Sequence, residues 1–240
     1  MELKNKIAIV TGASRGIGIE FSKALIEKGA VVYGLARSID VMNETQIQFG
    51  RQFKPVQMDV TQPDELEKWV NNEFSDDNLP DILINNAGVG YFGDVDKLPL
   101  SEWHAMMNTN LNGVFYLTRL ITPLMKQNEG HCHIINICSI AGLLGNPTMS
   151  GYNASKYGLR GFSEALFKEL RYDKIKVSAM FPGSIATRFF DNSEGAGTHP
   201  NMMQGRDVAD TLIHLLETPD NFLINEVTMR PLNPKNPSET

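Results

Sequence analysis

A tyrosine and a lysine spaced for one face of a helix form a candidate acid–base pair. Tyr152 and Lys156 lie in the segment Tyr152-Asn153-Ala154-Ser155-Lys156, at the start of a predicted helix. Residues at i and i+4 share a helical face, so phenol and ammonium can serve the same cleft. A free phenol has a pKa of about 10, and a neighbouring cation lowers that pKa by stabilising the phenolate. The pair therefore predicts proton transfer at this face.

Ser139 is a candidate partner for this pair. It ends the fifth predicted strand, and open α/β sheets bind ligands at the carboxyl edge of their strands. Its hydroxyl can donate a hydrogen bond to a substrate carbonyl oxygen and polarise the carbonyl. We expect Ser139 and Tyr152 to face the same substrate atom.

A glycine-rich turn, residues 11–18, joins the first predicted strand to the first predicted helix. Glycines in such a turn allow close approach of the backbone to a pyrophosphate, and the helix amino terminus offers N–H groups and a positive dipole end. The spacing is GxxxGxG rather than GxGxxG. The turn predicts a dinucleotide site whose contacts are Gly12, Ser14, Arg15, Gly16, Ile17 and Gly18.

The residues after the second predicted strand indicate which nucleotide binds. NAD sites place an acid there for the ribose 2′-OH, but this chain has Ala36 followed by Arg37 and Ser38. A guanidinium and a hydroxyl suit a 2′-phosphate, and Arg15 adds a second cation. The first carboxylate is Asp40. We therefore expect NADP(H) to be preferred over NAD(H).

Short apolar runs alternate along the chain with segments of helical period. Strands are predicted at 7–10, 30–36, 53–60, 81–84, 133–138, 175–181 and 223–229, and helices at 18–28, 41–49, from 63, 101–126 (bent near Pro123), 150–172 and 206–217. Near-continuous apolar strands indicate a parallel sheet with helices on both faces. We expect one domain over 1–240, with a lid loop at 184–204 and a loose tail at 232–240.

Composition narrows the possible partners. The chain has 240 residues, 42% of them hydrophobic, and a net charge of −6 from 22 basic and 28 acidic residues. An acidic balance argues against a nucleic-acid partner, which needs a basic face. No apolar run is long enough to predict a membrane span. A small-molecule substrate is the partner that we expect.

Both cysteines, Cys132 and Cys138, fall in one predicted strand. Their separation of about 20 Å excludes a disulfide, and free thiols favour a cytoplasmic location. His131 and His133 flank Cys132, but only the histidines share a strand face and no partner motif follows. We expect no metal site here and a partly exposed strand start.

The motifs above, with Asn85-Asn86-Ala87-Gly88, Asn110 and Pro182-Gly183, occur in the order typical of short-chain dehydrogenases/reductases. The chain resembles this family from residue 6 to about 190. The resemblance implies a doubly wound Rossmann fold with a seven-stranded parallel sheet of order 3-2-1-4-5-6-7. It also implies hydride transfer between a nicotinamide and a carbonyl or alcohol.

The same resemblance assigns roles to individual positions. It makes Tyr152 the general acid in reduction, with Ser139 holding the substrate oxygen. Lys156 would bind the nicotinamide ribose and lower the pKa of Tyr152. The backbone carbonyl of Asn110 would hold a proton-relay water beside Lys156. Further implied cofactor contacts are Asp59 and Val60 at the adenine, Asn86, Ala87 and Gly88 under the adenine ribose, and Pro182, Gly183, Ile185 and Thr187 at the carboxamide.

The substrate is less well specified. The expected pocket comprises residues 140–147, the chain after Gly88 and the lid. Its candidate lining residues suggest an apolar pocket, although ordinary packing explains them as well: Val89, Tyr91, Phe92, Leu143, Leu144, Met149, Phe189 and Phe190. Family members are commonly dimers or tetramers joined through the helices after strands four and five, so we expect a homo-oligomer.

Three functions remain open. The first is an NADPH-dependent carbonyl reductase, or a hydroxy-acid or alcohol dehydrogenase, acting on a small free ketone, aldehyde or 3-oxo or 3-hydroxy acid. The second is a 3-oxoacyl-carrier-protein reductase. The segments 127–129 and 172–174 carry acids where carrier-dependent reductases usually show arginines, and like charges oppose an acidic carrier. The ending 228–231 resembles that of 3-hydroxy-acid and serine dehydrogenases. The third is a nucleotide-binding regulator, disfavoured because Ser139, Tyr152 and Lys156 are all present.

Overall fold

A computed structural model describes residues 1–187, 189 and 201–233. Each predicted strand and helix forms, with shifted ends. The elements are β1 (Ile7–Thr11), α1 (Ile17–Glu27), β2 (Val31–Ala36), α2 (Ile39–Phe49), β3 (Phe53–Gln57), α3 (Pro63–Glu73), β4 (Ile82–Asn85), α4 (Leu100–Met107), α5 (Gly113–Met125), β5 (Cys132–Ile137), α6 (Ser150–Leu170), β6 (Ile175–Pro182), α7 (Gly205–Glu217) and β7 (Glu226–Met229). Within these ranges, no helix is long and apolar enough to cross a membrane.

The seven strands form one parallel sheet in the order β3-β2-β1-β4-β5-β6-β7, which confirms the predicted topology. One face, including Val10, packs against α1, α2 and α7, and the other, including Ile9, packs against α3, α5 and α6. Because both faces are buried, the central strands are apolar without alternation. The order reverses between β1 and β4, and the turns that leave these two strands diverge there.

The long helix predicted over 101–126 is in fact two helices. A π-helical segment, Asn108–Asn112, separates α4 from α5, whereas Pro123 lies inside the last turn of α5. The interruption of the predicted helix therefore lies at the π-helical segment, and the predicted bend near Pro123 stays a prediction. Asn110 within the π-helical segment is buried and hydrogen-bonds the chain that follows β4. Tertiary contacts of this asparagine accompany the interruption, and proline does not set it.

The predicted partly exposed strand start is confirmed at His131, just before β5, whose side chain is 30% exposed, but not within β5 itself. Cys132 and Cys138 are free thiols, as predicted, but both are buried, and His133 is only 1% exposed. The His133 ring lies with Nε2 2.9 Å from the Ser178 hydroxyl, which donates to a backbone carbonyl. Burial lowers the pKa of His133 to about 3, so the ring is neutral. Within the described ranges, no cluster of three metal-ligating side chains occurs.

A buried polar network ties the central strands to the helices beneath them. The Asn85 amide donates to the side chains of Asn136 (2.8 Å) and Thr118 (3.1 Å), and the Asn136 amide donates to the Ser163 hydroxyl (2.8 Å). All four residues are buried. The network therefore joins β4 and β5 to α5 and α6, and it fixes the strand that leads to Ser139 against the helix that carries Tyr152.

We predict that Asn136→Ala lowers the free energy of unfolding by about 2–4 kcal/mol, because it strands buried donors and acceptors on Asn85 and Ser163. Urea denaturation measures the change. Asn72→Ala on the exposed surface of α3 is the control and should change stability by less than about 0.5 kcal/mol. Equal effects of the two substitutions would contradict the importance of the network.

Candidate active site

A cleft of about 1250 Å³ opens at the carboxyl edge of the sheet. Its walls are the turns that follow the strands, together with the start of α6. Nearly all predicted site residues line it: Gly12, Ser14, Arg15, Gly16, Ile17, Arg37, Ser38, Asp59, Val60, Asn86, Ala87, Gly88, Ser139, Tyr152, Lys156, Pro182, Gly183, Ile185 and Thr187. Gly18 and Asn110 do not.

The glycine turn has the backbone that an anion site needs. Gly12 and Gly16 have φ angles of 68° and 58°, which favour glycine. A Cβ on Gly18 would lie 2.2 Å from the carbonyl oxygen of Gly12, so Gly18 lets α1 pack onto the turn rather than facing the cleft. No side chain of the described residues caps α1, whose first N–H groups are thus left for a phosphate.

Thr11 and Asn86 join the two turns at the switch point. The Thr11 hydroxyl accepts hydrogen bonds from the backbone N–H groups of Asn86 and Ala87, each at 2.9 Å. The Asn86 side chain donates in return to the backbone carbonyl of Thr11 at 2.8 Å. Asn86 thus fixes the turn after β4 against the glycine turn, which a sequence motif alone does not reveal.

Two cations line the cleft, Arg37 directly after β2 and Arg15 in the glycine turn. Arg37 and Arg15 are exposed on the cleft wall, and neither forms an ion pair with any residue in the described ranges. Ser38 adds an exposed hydroxyl beside them. Two unpaired guanidinium groups and a hydroxyl form a donor set suited to a phosphate group.

The three predicted catalytic side chains meet at the opposite end of the cleft. Tyr152 is 6% exposed in the first turn of α6, and Ser139 follows β5, with its hydroxyl accepting from the backbone N–H of Ala141 at 3.1 Å. The Lys156 ammonium donates to the carbonyl of Ile137 at 2.9 Å and lies 5.9 Å from the centre of the Tyr152 ring. The i, i+4 spacing therefore places both side chains on one face, as predicted.

In the protein without a bound nucleotide, the pKa of Tyr152 is raised, whereas the sequence analysis predicts that it is lowered. Burial raises the pKa of Tyr152 to about 12, although a hydrogen bond with Ser139 opposes the rise. Lys156 was expected to lower this pKa, but its own pKa falls to about 8 because it too is buried. At neutral pH the phenol keeps its proton and Lys156 remains mostly charged. This protonation state suits a proton donor.

Asn110 is buried and its side chain acts on the backbone rather than on the cleft. Its amide oxygen accepts from the N–H of Val89 and its amide nitrogen donates to the Val89 carbonyl, both at 2.9 Å. A further hydrogen bond of 3.0 Å reaches the Ser155 hydroxyl. The side chain is therefore a positioning group between the chain after β4 and α6, and the relay role of its backbone carbonyl stays a prediction.

Asn153 is the functional residue that the sequence analysis missed. Its amide nitrogen donates to the carbonyls of Ala141 and Leu144, each at 2.6 Å, and its oxygen accepts from the N–H of Asn146 at 3.3 Å. The side chain is 7% exposed. Asn153 thus ties the loop after Ser139 to the helix of Tyr152. The only signal in the sequence is a polar residue directly after the tyrosine.

The predicted pocket residues divide into two groups. Val89, Met149 and Phe189 line the cleft, and Tyr91 and Phe92 pack around Tyr152. Two assignments are wrong: Leu144 is 46% exposed, and Leu143 packs against a different cluster, because the loop held by Asn153 turns them away from the cleft. Phe190, most of the predicted lid and the tail from 234 lie outside the described residues.

We predict that Asn153→Asp lowers catalytic turnover by about 10- to 100-fold. Aspartate has the size of asparagine and keeps an acceptor oxygen, but it lacks the N–H donors that bind the carbonyls of Ala141 and Leu144. Small displacements of reacting groups lower rates by factors of this order. Steady-state kinetics measures the loss, and Asn153→Ser, which keeps one donor, should be intermediate. Unchanged turnover in Asn153→Asp would exclude a positioning role. Asn72→Asp on exposed α3 is the control.

Comparison with known proteins agrees with this geometry. The family model described as short chain dehydrogenase matches residues 6–196. A 3-oxoacyl-[acyl-carrier-protein] reductase of Synechocystis sp. is 37% identical over 195 residues, covering 79% of this chain and 78% of the relative. An uncharacterised oxidoreductase of Staphylococcus epidermidis is 29% identical over 232 residues, covering 96% and 99%.

A solved structure of a serine dehydrogenase complexed with NADP⁺, in its closed form, superposes with a TM-score of 0.89 at 29% identity, covering 94% of this chain and 95% of that chain. The fold is therefore shared with that protein over nearly the whole chain. From the match over most of its length, this chain belongs to the short-chain dehydrogenase/reductase family of oxidoreductases.

Proposed function

We propose that the protein is an NADPH-dependent oxidoreductase that interconverts a carbonyl and an alcohol on a small free substrate. The observation that carries this proposal is the convergence of Ser139, Tyr152 and Lys156 at one end of a cleft whose other end is a phosphate-binding turn. The residues present fit the nucleotide, because its phosphates match the open amino end of α1 and two arginines that have no ion pair within the described part of the chain. Bound NADPH would supply the hydride.

The side chains divide the remaining chemistry between them. The Ser139 hydroxyl donates to the substrate carbonyl oxygen and holds it near the phenol. Tyr152, protonated at neutral pH, gives its proton to that oxygen as negative charge develops on it. The Lys156 ammonium, within 6 Å of the ring centre, stabilises the phenolate that is left. In the oxidation direction the positive nicotinamide ring would assist deprotonation of the phenol.

A second candidate is a 3-oxoacyl-carrier-protein reductase, favoured by the relative from Synechocystis sp.. Local charge argues against it. Lys126 pairs with Asp173 at 2.7 Å, and the Lys174 ammonium donates to the backbone carbonyl of Glu129 at 3.3 Å. Lys126 and Lys174 are therefore engaged, and an acidic carrier would meet the exposed Glu129, although Arg171 beside the second loop is an exposed cation. Resemblance to serine dehydrogenase instead supports a small free substrate.

We also propose a homodimer or homotetramer in the cytoplasm, without nucleic-acid or membrane partners. Phe115 on α5 is 48% exposed and its ring packs against Phe162 on α6, with centroids 6.4 Å apart. This aromatic pair on the two long helices supports a contact between copies. The free thiols Cys132 and Cys138 support a reducing compartment.

We predict that Arg37→Asp raises the Kd for NADPH by about 10-fold or more and lowers the Kd for NADH. A carboxylate repels the 2′-phosphate and accepts a hydrogen bond from the 2′-OH. Fluorescence titration with each nucleotide measures both constants. Arg51→Asp is the control, because Arg51 lies just before β3, at the amino ends of the strands and away from the cleft. If the two nucleotides bind Arg37→Asp as they bind the parent, Arg37 does not contact the 2′-phosphate.

We predict that Tyr152→Phe lowers turnover by at least about 100-fold, because the proton donor is removed, while the Kd for NADPH changes by less than about twofold. Initial rates of carbonyl reduction and a nucleotide titration measure the two effects. Tyr172→Phe, an equally conservative change at a site that is 83% exposed, should have normal rates. Retained turnover in Tyr152→Phe would mean that another group donates the proton.

A further inference from the structure

We infer that the substrate carries an uncharged, apolar group, aromatic or bulky aliphatic, beside its carbonyl, and that free carboxylates are poor substrates. This inference deepens the proposed function and depends on it. It concerns the carbonyl end of the cleft, which we define by Val89, Ser139, Met149, Tyr152 and Phe189. The contacts of the phenol and the distribution of charge along the cleft both support it.

Aromatic rings flank the phenol. The ring of Phe92 lies 5.8 Å from that of Tyr152 at 82°, and the ring of Phe189 lies 5.9 Å from it at 52°. Gly90 permits this arrangement, since a Cβ there would lie 2.9 Å from Phe189. Edge-to-face and tilted contacts of this kind create an apolar surface that recognises other rings and aliphatic groups.

The neighbouring side chains extend the apolar surface. Met106 and Ala141 are buried with Tyr152 in one cluster, and Val89 and Met149 pack against that cluster. Val89, Met149 and Phe189 also line the cleft, so their apolar atoms meet whatever lies next to the phenol. Pockets that combine such lining with a few convergent polar groups, here Ser139 and Tyr152, bind ligands with one polar function in an apolar frame.

Charge is concentrated at the other end. Among the described residues that line the cleft, the charged side chains are Arg15, Glu20, Arg37, Asp59 and Lys156. The first four belong to the glycine turn, α1 and the chain after β2 and β3, which form the nucleotide end. Next to the carbonyl end, Lys156 is the one charged residue among the described residues that line the cleft. It is 4% exposed, and its ammonium donates to the carbonyl of Ile137.

A substrate carboxylate would therefore lose its hydration at the carbonyl end without a free cationic partner among the described residues. Transfer of an unpaired anion into apolar surroundings is unfavourable. An ester or a ketone with the same carbon frame loses little hydration and keeps its contacts with Phe189 and Met149. The difference should appear in kcat/KM, which reports the stability of the transition state relative to free substrate.

The test compares matched substrates with saturating NADPH and the full-length chain. We expect ethyl 3-oxobutanoate to exceed 3-oxobutanoate in kcat/KM by at least about 10-fold, because only the acid is charged. We expect 1-phenylpropane-1,2-dione to exceed butane-2,3-dione by at least about 10-fold, because phenyl replaces methyl against the aromatic wall. Phe189→Ala should reduce the phenyl preference several-fold, and Tyr172→Ala at an exposed ring should leave it unchanged.

Equal or faster turnover of the acid would overturn the inference while leaving the proposed function intact. An unchanged phenyl preference in Phe189→Ala would overturn it as well. Arg188 lies outside the described residues, so acid and ester are also compared in Arg188→Ala. An acid preference that this substitution abolishes would overturn the inference and assign the carboxylate to Arg188. If NADPH binds but none of the four compounds reacts, the proposed function itself fails, and the inference fails with it.

Discussion

The reversal of strand order between β1 and β4 is the constraint on which the site depends. In a parallel sheet, the turns that follow the strands all lie at the same edge. Where the chains that leave two neighbouring strands cross to opposite faces of the sheet, their turns separate and leave a crevice. The hydrogen bonds between Thr11 and the turn at Asn86 fix the floor of that crevice. The turns that line both ends of the cleft therefore follow strands that sheet pairing and the packed helices already hold in place.

The position of Tyr152 is set from several directions by its neighbours on α6. Asn153 binds the loop after β5, Ser155 contacts Asn110 in the π-helical segment, and Lys156 reaches the carbonyl of Ile137 at the end of β5. Each contact involves a different part of the chain. The first turns of α6 consequently act as a rigid platform, which is what proton transfer over hydrogen-bond distances requires.

The cleft separates charge from apolar surface, and this separation has consequences for chemistry. Arg15 and Arg37, which form no ion pair with any described residue, favour phosphate groups, whereas the phenol is buried among aromatic and methionine side chains. Burial keeps the Tyr152 proton in place at neutral pH and lowers the pKa of Lys156. In the protein without a nucleotide, burial therefore governs the pKa values of Tyr152 and Lys156. A bound, positively charged nicotinamide ring would change the pKa of Tyr152.

Local patterns determined the order of elements, the glycine turn, the shared face of Tyr152 and Lys156, and the cation after β2, because each depends on residues close in sequence. The tertiary structure alone decided the π-helical segment at Asn108–Asn112, the burial of His133, the hydrogen bonds of Asn153 and the upward shift of the Tyr152 pKa. These features depend on which distant segments pack together and how much water they exclude, and no spacing within one segment encodes that.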